Sequence, residues 1–456
     1  MKKFKIAYLP LTKVNWSNDS LENARKNALA YLQTLPGVEV AGGEKMIALE
    51  SEAVELLERM EEEKPDLIVA HFLTFALGVI VPMFARRLNV PVVLWSMKEP
   101  DPAGGRLQNN SFCAANMNAH FMYRMHVPYF HIHAFPNTKE ANDALVRAVK
   151  VTRCAAMLKK LRIGVIGGRV PGFFTSSCSE MLLRTKIGAE VKYITQHEVI
   201  TTAEKLSPDE LEEAKKTILS DAPCHETDGP TDKQLEKSAA LFAAVGKMKD
   251  KFAVNTFAMR CWPEFIDDDL YGIAVCSTIG HLTNHGLITA CEGDVYGAVT
   301  MQITGELSGE LPFFCDLVIM EGDYAVAWHC GAAPCSICKN GFTAQLRKSS
   351  TVDGGGVKGV TNEFPLKPGR VTLVRLGETR DGDGFRMLIA PGDGLDTDLF
   401  VRGNPLKIKL DAGCDKMREE IIGNGWEHHY TLCYGDQTEA LTDLCKILNI
   451  QYTIVK

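Results

Sequence analysis

Glu292, Asp316 and His429 are the residues whose types and settings point most clearly to chemistry. Glu292 lies in Gly286-Leu-Ile-Thr-Ala-Cys-Glu292-Gly-Asp294, after an apolar run and before a small-residue helix start, so its carboxylate is expected at a strand end. Asp316 closes Leu311-Pro-Phe-Phe-Cys-Asp316, where a solvated loop acid would be unusual. His429 comes from Trp426-Glu427-His428-His429-Tyr-Thr-Leu-Cys-Tyr-Gly. Adjacent histidines on a strand point to opposite faces, so only one of this pair is expected to face a given cleft. Two carboxylates and an imidazole with open positions suit a hard-to-borderline divalent ion: Mn²⁺, Mg²⁺ or Fe²⁺. The plainer alternative is that both acids cap helices or pair with arginine.

Other motifs carry less chemistry. His329-Cys330-Gly-Ala-Ala-Pro-Cys335-Ser-Ile-Cys338 could supply four soft ligands for zinc, or a redox pair, but the chain has one C-x-x-C where zinc ribbons carry two. The glycines at 164, 167, 168 and 172 follow a strand without forming G-x-G-x-x-G, and no acidic ribose partner follows about 20 residues on. A nicotinamide dehydrogenase is therefore disfavoured, and the turn reads as an ordinary strand-to-helix connection that could line a cleft. His131-Ile-His133, with His126 nearby, shares a strand face without an acid, and packing or substrate contact is the expected role.

These residues must be positioned by alternating elements. Lys5–Leu9, Val38–Val40, Asp66–Ala70 and Pro91–Trp95 read as strands, with helices Asn18–Leu35, Ser51–Glu63 and Val81–Leu88 among them. That order implies a mostly parallel sheet covered on both faces. Ligands in such sheets sit beyond the carboxyl ends of the strands. The long polar segment Ser96–Asn118, with Lys98, Glu99, Asp101, Gly104, Gly105 and Arg106, is a candidate binding loop. A second α/β unit has strands Arg162–Ile166, Val191–Thr195, Ala253–Thr256 and Ile273–Val275 and helices Ser207–Leu219 and Asp232–Met248. Short alternating strands follow, including Arg370–Leu376, Phe385–Ala390 and Pro405–Leu410, with a final helix Thr438–Leu448 and a glycine-rich loop Val352–Lys358. The expected fold class is α/β: two Rossmann-like parallel-sheet domains, 1–158 and 159–307, and a β-rich, barrel-like domain, 308–456.

The chain of 456 residues is 46% apolar and 23% charged, which excludes disordered, collagen-like and coiled-coil classes. Fifty basic against 57 acidic side chains argue against a nucleic-acid partner. The apolar stretch Phe72–Ala85 is too short for a bilayer span. No signal peptide is evident at Met1-Lys2-Lys3-Phe4-Lys5, so the 14 cysteines are expected to be reduced core thiols of a cytoplasmic protein.

Together, Ala290-Cys-Glu292-Gly-Asp-Val-Tyr-Gly-Ala, Asp316 24 residues after Glu292, and His428-His429-Tyr-Thr-Leu-Cys-Tyr-Gly resemble the fucose/arabinose isomerase family. Phe364-Pro-Leu-Lys-Pro-Gly-Arg-Val-Thr-Leu-Val-Arg-Leu is similar to that family's C-terminal β-domain. The resemblance is clearest from about residue 250 onward. It implies a metal-dependent aldose–ketose isomerase of sugar catabolism working through an enediolate. It also implies Glu292, Asp316 and His429 as ligands of Mn²⁺ or another divalent ion (Mg²⁺, Co²⁺ or Fe²⁺), with the two acids sharing proton transfer. His329 is a second candidate, and Trp95, Lys98, Asn116, Asn118, Arg260 and Trp262 are candidates for the sugar rim. A homo-oligomer, trimer or hexamer, with shared active sites is implied as well. The alternative is a catalytically silent sugar-binding or regulatory protein of the same fold.

Overall fold

In the computed structural model, residues 3–16, 18–349 and 358–456 are described. Residues 352–357 of the glycine-rich loop lie outside them. The chain divides into two compact units, 1–155 and 156–456.

The first unit is a five-stranded parallel sheet of order β2-β1-β3-β4-β5, with β1 Phe4–Leu11, β2 Val38–Gly42, β3 Leu67–Phe72, β4 Val92–Ser96 and β5 Tyr129–His133. Its central strands are buried on both faces, which is why β3 and β4 read as continuous apolar runs rather than alternations. Helices Asp19–Thr34, Glu50–Glu63, Ile80–Leu88 and Ser111–Arg124 make the crossovers.

The second unit contains two sheets. A parallel sheet of order β7-β6-β8-β9 is built from β6 Arg162–Ile166, β7 Glu190–Ile194, β8 Thr256–Met259 and β9 Thr289–Cys291. The strand expected at Ala253–Thr256 starts later, because Ala253 is the left-handed C-cap (φ +50°) of helix Asp232–Phe252. Ile273–Val275 is not a strand. Its amides bond singly to the Phe265 and Lys358 carbonyls and lead into helix Cys276–Asn284.

The other sheet is closed and antiparallel, except that its last strand pairs in parallel. After β10 Phe313–Glu321 and β11 Tyr324–Trp328, a separate pair, β12 Gln345–Arg347 and β13 Thr361–Glu363, interrupts the chain. The sheet resumes with β14 Gly369–Glu378, β15 Phe385–Gly394, β16 Leu406–Leu410, β17 His429–Tyr434 and β18 Gln451–Ile454. Its order is β14-β17-β10-β11-β16-β15-β18, and β14 pairs with β15 along its whole length to close the barrel. Helix Val295–Ser308 packs on β8, β9, β14 and β17 and is buried nearly all round. Its small residues allow that approach: a Cβ on Gly297 would meet the Phe314 ring at 2.4 Å. The fold is thus parallel α/β sheets followed by a closed antiparallel barrel, as the sequence implies.

Candidate active site

Glu292 stands in the tight turn between β9 and helix Val295–Ser308, with φ +58°. A non-glycine residue held in the left-handed region carries local strain, and such residues concentrate at functional sites. Gly293 follows at φ +68°, where a Cβ would come 2.2 Å from the Gly168 carbonyl oxygen. The turn after β9 therefore rests directly on the glycine turn after β6, which lines the site instead of holding a dinucleotide fingerprint. Asp294 then caps the helix, accepting a hydrogen bond from the Gly297 amide at 2.8 Å.

Asp316 and His429 are brought together by strand register. β10 and β17 run antiparallel with Asp316 directly opposite His429, so the two side chains share a face. His429 Nε2 lies 2.9 Å from Glu292 Oε2 and 3.9 Å from Asp316 Oδ1. On its other side His429 Nδ1 donates to Asp294 Oδ2 at 2.9 Å. Asp294 is fully buried and also receives Arg375 Nη1 at 2.6 Å. Asp316 Oδ1 is buried yet has no hydrogen-bond partner among the described residues.

His428 joins the cluster, against the expectation of alternating faces. The strand begins at His429, so His428 sits in the preceding bend and is not bound by the two-residue alternation. Its Nε2 lies 3.9 Å from Glu292 Oε2, and its Nδ1 is 2.9 Å from the Thr175 hydroxyl. Donor atoms of Glu292, His428 and His429 all lie within 4.8 Å of one another. Phe173 packs edge-on against both His428 (5.4 Å) and Trp262 (5.6 Å), making an aromatic flank.

Charge and burial compete here. Burial opposes ionisation of Glu292, but the His428 and His429 imidazoles outweigh it and hold the carboxyl down at about 2. Burial likewise opposes a charge on His429, yet the Asp294 and Glu292 carboxylates push its pKa up to about 9. Asp294 is held far below the usual carboxylate range, its burial overcome by Arg375 and His429.

The other candidates are more scattered. Arg260 is anchored by the Arg169 carbonyl (2.9 Å) and Glu264 (2.5 Å), bracing the glycine turn. His329 is buried after β11, with Nδ1 3.3 Å from Cys330 Sγ, which in turn lies 3.4 Å from Cys276 Sγ. Cys335 and Cys338 flank a 3₁₀ turn, and Cys338 Sγ donates to the Phe342 carbonyl at 3.4 Å. None of the 14 cysteines is in a disulfide.

Trp95, Lys98, Asn116 and Asn118 belong to the first unit. Trp95 is fully buried, stacked on His71 (4.2 Å) and donating to the Ala134 carbonyl. Lys98 pairs with Glu140 at 3.6 Å, and Asn116 is exposed. Asn118 is buried and donates to Ala114 one helical turn back. His131 and His133 both approach the Ser96 hydroxyl, at 3.2 and 2.8 Å.

Comparison with known proteins accords with this geometry. The family described as L-fucose isomerase, C-terminal domain, matches residues 328–456. A sulfoquinovose isomerase of Alkalicoccus urumqiensis is 32% identical over 393 residues, 85% of each chain. The chain belongs to the fucose isomerase-like family. Sulfoquinovose isomerases of Priestia aryabhattai (29% identical) and Clostridium sp. (strain MSTE9) (27%) each align over 99% of both chains. The protein is a sugar isomerase, an enzyme of aldose–ketose interconversion in sugar catabolism.

Reading the isomerase's sequence misses the roles of Asp294, Arg375 and His428. Asp294 has a local signal, an aspartate immediately before a helix start. Arg375 has none: it looks like any outward cation of a strand until β14 is packed on helix Val295–Ser308.

Proposed function

We propose that the isomerase is metal-dependent and that Glu292, Asp316 and His429 hold the ion, with His428 beside them. The observation that carries this reading is the orientation of His429. Asp294 fixes its Nδ1–H, as carboxylates do behind metal-bound histidines, and turns Nε2 toward two carboxylates. The unpartnered buried Asp316 Oδ1 fits the same role. Donors of oxygen and imidazole nitrogen suit Mn²⁺ or a similar divalent ion.

A bound divalent ion would polarise the sugar carbonyl and stabilise charge developing on O1 and O2 of the open chain. The protein's own groups do the rest. Glu292 and Asp316 reach the site from two different elements, a β–α turn and a barrel strand. A sugar between them has a carboxylate at each side, one to take the proton from the carbon α to the carbonyl and one to return a proton across C1 and C2. Phe173 and Trp262 offer an apolar flank, and the family's relatives support a sulfonated aldohexose as substrate.

Two measurements test this. Purified protein is expected to contain about one equivalent of divalent metal per chain, with activity lost to EDTA and restored by Mn²⁺. A panel of aldoses should then show turnover of sulfoquinovose above neutral hexoses and pentoses. Full activity in metal-free protein would overturn the metal reading.

A further inference from the structure

A sulfonate is fully ionised near neutral pH, so a site that selects a sulfonated sugar needs a cation that the protein has not already neutralised. Most arginines around the Glu292–His429 cluster fail that requirement. Arg375 pairs with the buried Asp294. Arg386 lies 4.0 Å from Glu427 and donates to the Asn424 and Gly425 carbonyls. Arg260 is held by Glu264 at 2.5 Å. Arg169, in the glycine turn after β6, is different. Its guanidinium donates to the adjacent Val170 carbonyl at 3.2 Å and lies 4.6 Å from the centre of the Phe174 ring. No carboxylate stands within ion-pair distance of it among the described residues.

The backbone of Arg169 is fixed against the cluster. Arg260 Nη1 donates to its carbonyl at 2.9 Å. A Cβ on Gly293, the residue after Glu292, would meet the Arg169 Cα at 3.3 Å. Further along the same loop, Phe173 packs on the His428 ring at 5.4 Å and the Thr175 hydroxyl lies 2.9 Å from His428 Nδ1. Phe174 stands between those two residues and is exposed, and the guanidinium stacked on it is half-buried. A guanidinium has five N–H donors, and the Val170 carbonyl takes one of them. Stacking on a ring holds the planar group in one orientation, so little freedom is lost when an anion meets its remaining donors.

We propose that Arg169 receives the sulfonate of the substrate and sets the preference for sulfonated over neutral aldoses. With the reacting carbons between Glu292 and Asp316, the sulfonate at the far end of the hexose chain meets the loop after β6. Two guanidinium N–H groups then pair with two sulfonate oxygens, the fork geometry that arginine offers and lysine does not. Phe174 orients Arg169 from beneath. This role presupposes the sulfonated aldohexose proposed as substrate, and it leaves proton transfer to Glu292 and Asp316.

The test compares full-length protein, supplied with Mn²⁺, on sulfoquinovose and on 6-deoxyglucose, the same sugar without its sulfonate. The neutral sugar is followed as a substrate and as a competitor of sulfoquinovose, so its binding is read even where its turnover is slow. Arg169→Met should lower the preference for sulfoquinovose over 6-deoxyglucose by about 10–100-fold, chiefly through KM, the range for losing hydrogen bonds to a charged group. Arg169→Lys should recover part of that preference, because a point cation still attracts the anion without pairing with two oxygens at once. Losses of equal size for both sugars would make Arg169 a structural residue and overturn the proposal. An Arg169→Met protein that keeps the wild-type preference would overturn it too, with the substrate reading intact. A wild-type protein that takes both sugars equally overturns the substrate reading and this role together, so the wild-type preference tells the two failures apart.

Discussion

Two histidine–carboxylate clusters in residues 156–456 are built in opposite senses. At Asp221 one carboxylate oxygen faces two imidazoles, His281 Nδ1 at 2.7 Å and His285 Nε2 at 2.9 Å. At His429 one imidazole faces Asp294 and Glu292, each at 2.9 Å, with Asp316 at 3.9 Å. The first arrangement satisfies its carboxylate and packs its rings on Phe242. The second crowds negative charge. With His429 neutral, three carboxylates and the Arg375 guanidinium leave a net charge of −2, since Glu427 is offset by Arg386. A divalent cation would cancel that charge. The same residue types thus make a structural brace in one place and the proposed cation site in the other, and the ratio of acids to bases separates the two.

The sharpest break between the clusters is kinetic. Glu292→Gln and Asp316→Asn should each lower kcat by about 10²–10⁴-fold, the range for losing a general acid or base. Circular dichroism should be unchanged, and the melting curve should shift by no more than that of Asp221→Asn. Asp221→Asn should leave kcat within about twofold while costing about 1–3 kcal/mol of stability, because two imidazoles lose their acceptor. Wild-type turnover in either site variant would remove that residue from the proposed chemistry.

Asp294 belongs to both worlds, since it braces His429 and neutralises Arg375. Asp294→Asn should weaken metal affinity about 10–100-fold by loosening His429. It should also cost about 3–5 kcal/mol of stability, because the Arg375 guanidinium is left buried without its partner. Adding Arg375→Met should recover part of the stability and none of the metal affinity, read by denaturant melts and metal titration on the same proteins. Equal recovery of both would mean that Asp294 acts only through packing.

Much of this was legible in the sequence. Apolar runs at β3, β4 and β6 mark buried parallel strands, and Glu292 sits where a strand must hand over to a helix. What could not be read is register. The pairing of Asp316 with His429 depends on how β10 slides on β17, 113 residues apart in the chain. His428 escaped because alternation applies only inside a strand, and its strand begins one residue later. Ile273–Val275 looked like a strand on composition, but tertiary partners took its amides one by one.

The smallest expected difference is in pH dependence. His281 is fully buried, and that burial outweighs the pull of Asp221 and lowers its pKa below the usual 6.5. The unfolded chain therefore takes up a proton at about 6.5 that the folded chain refuses, so stability is full above that pH and falls as pH drops, by up to about 1.4 kcal/mol per unit. Asp221, whose pKa is lowered despite its burial, adds its own loss only below about 4. His429 has the opposite sign. In metal-free protein its raised pKa stabilises the fold below 6.5, and that contribution disappears as pH rises through about 9. Melting temperatures of EDTA-treated protein from pH 5 to 10 should show both limbs. His281→Gln should flatten the acid limb between pH 6.5 and 5 and leave the alkaline one, whereas an unchanged acid limb would place its origin in another buried group.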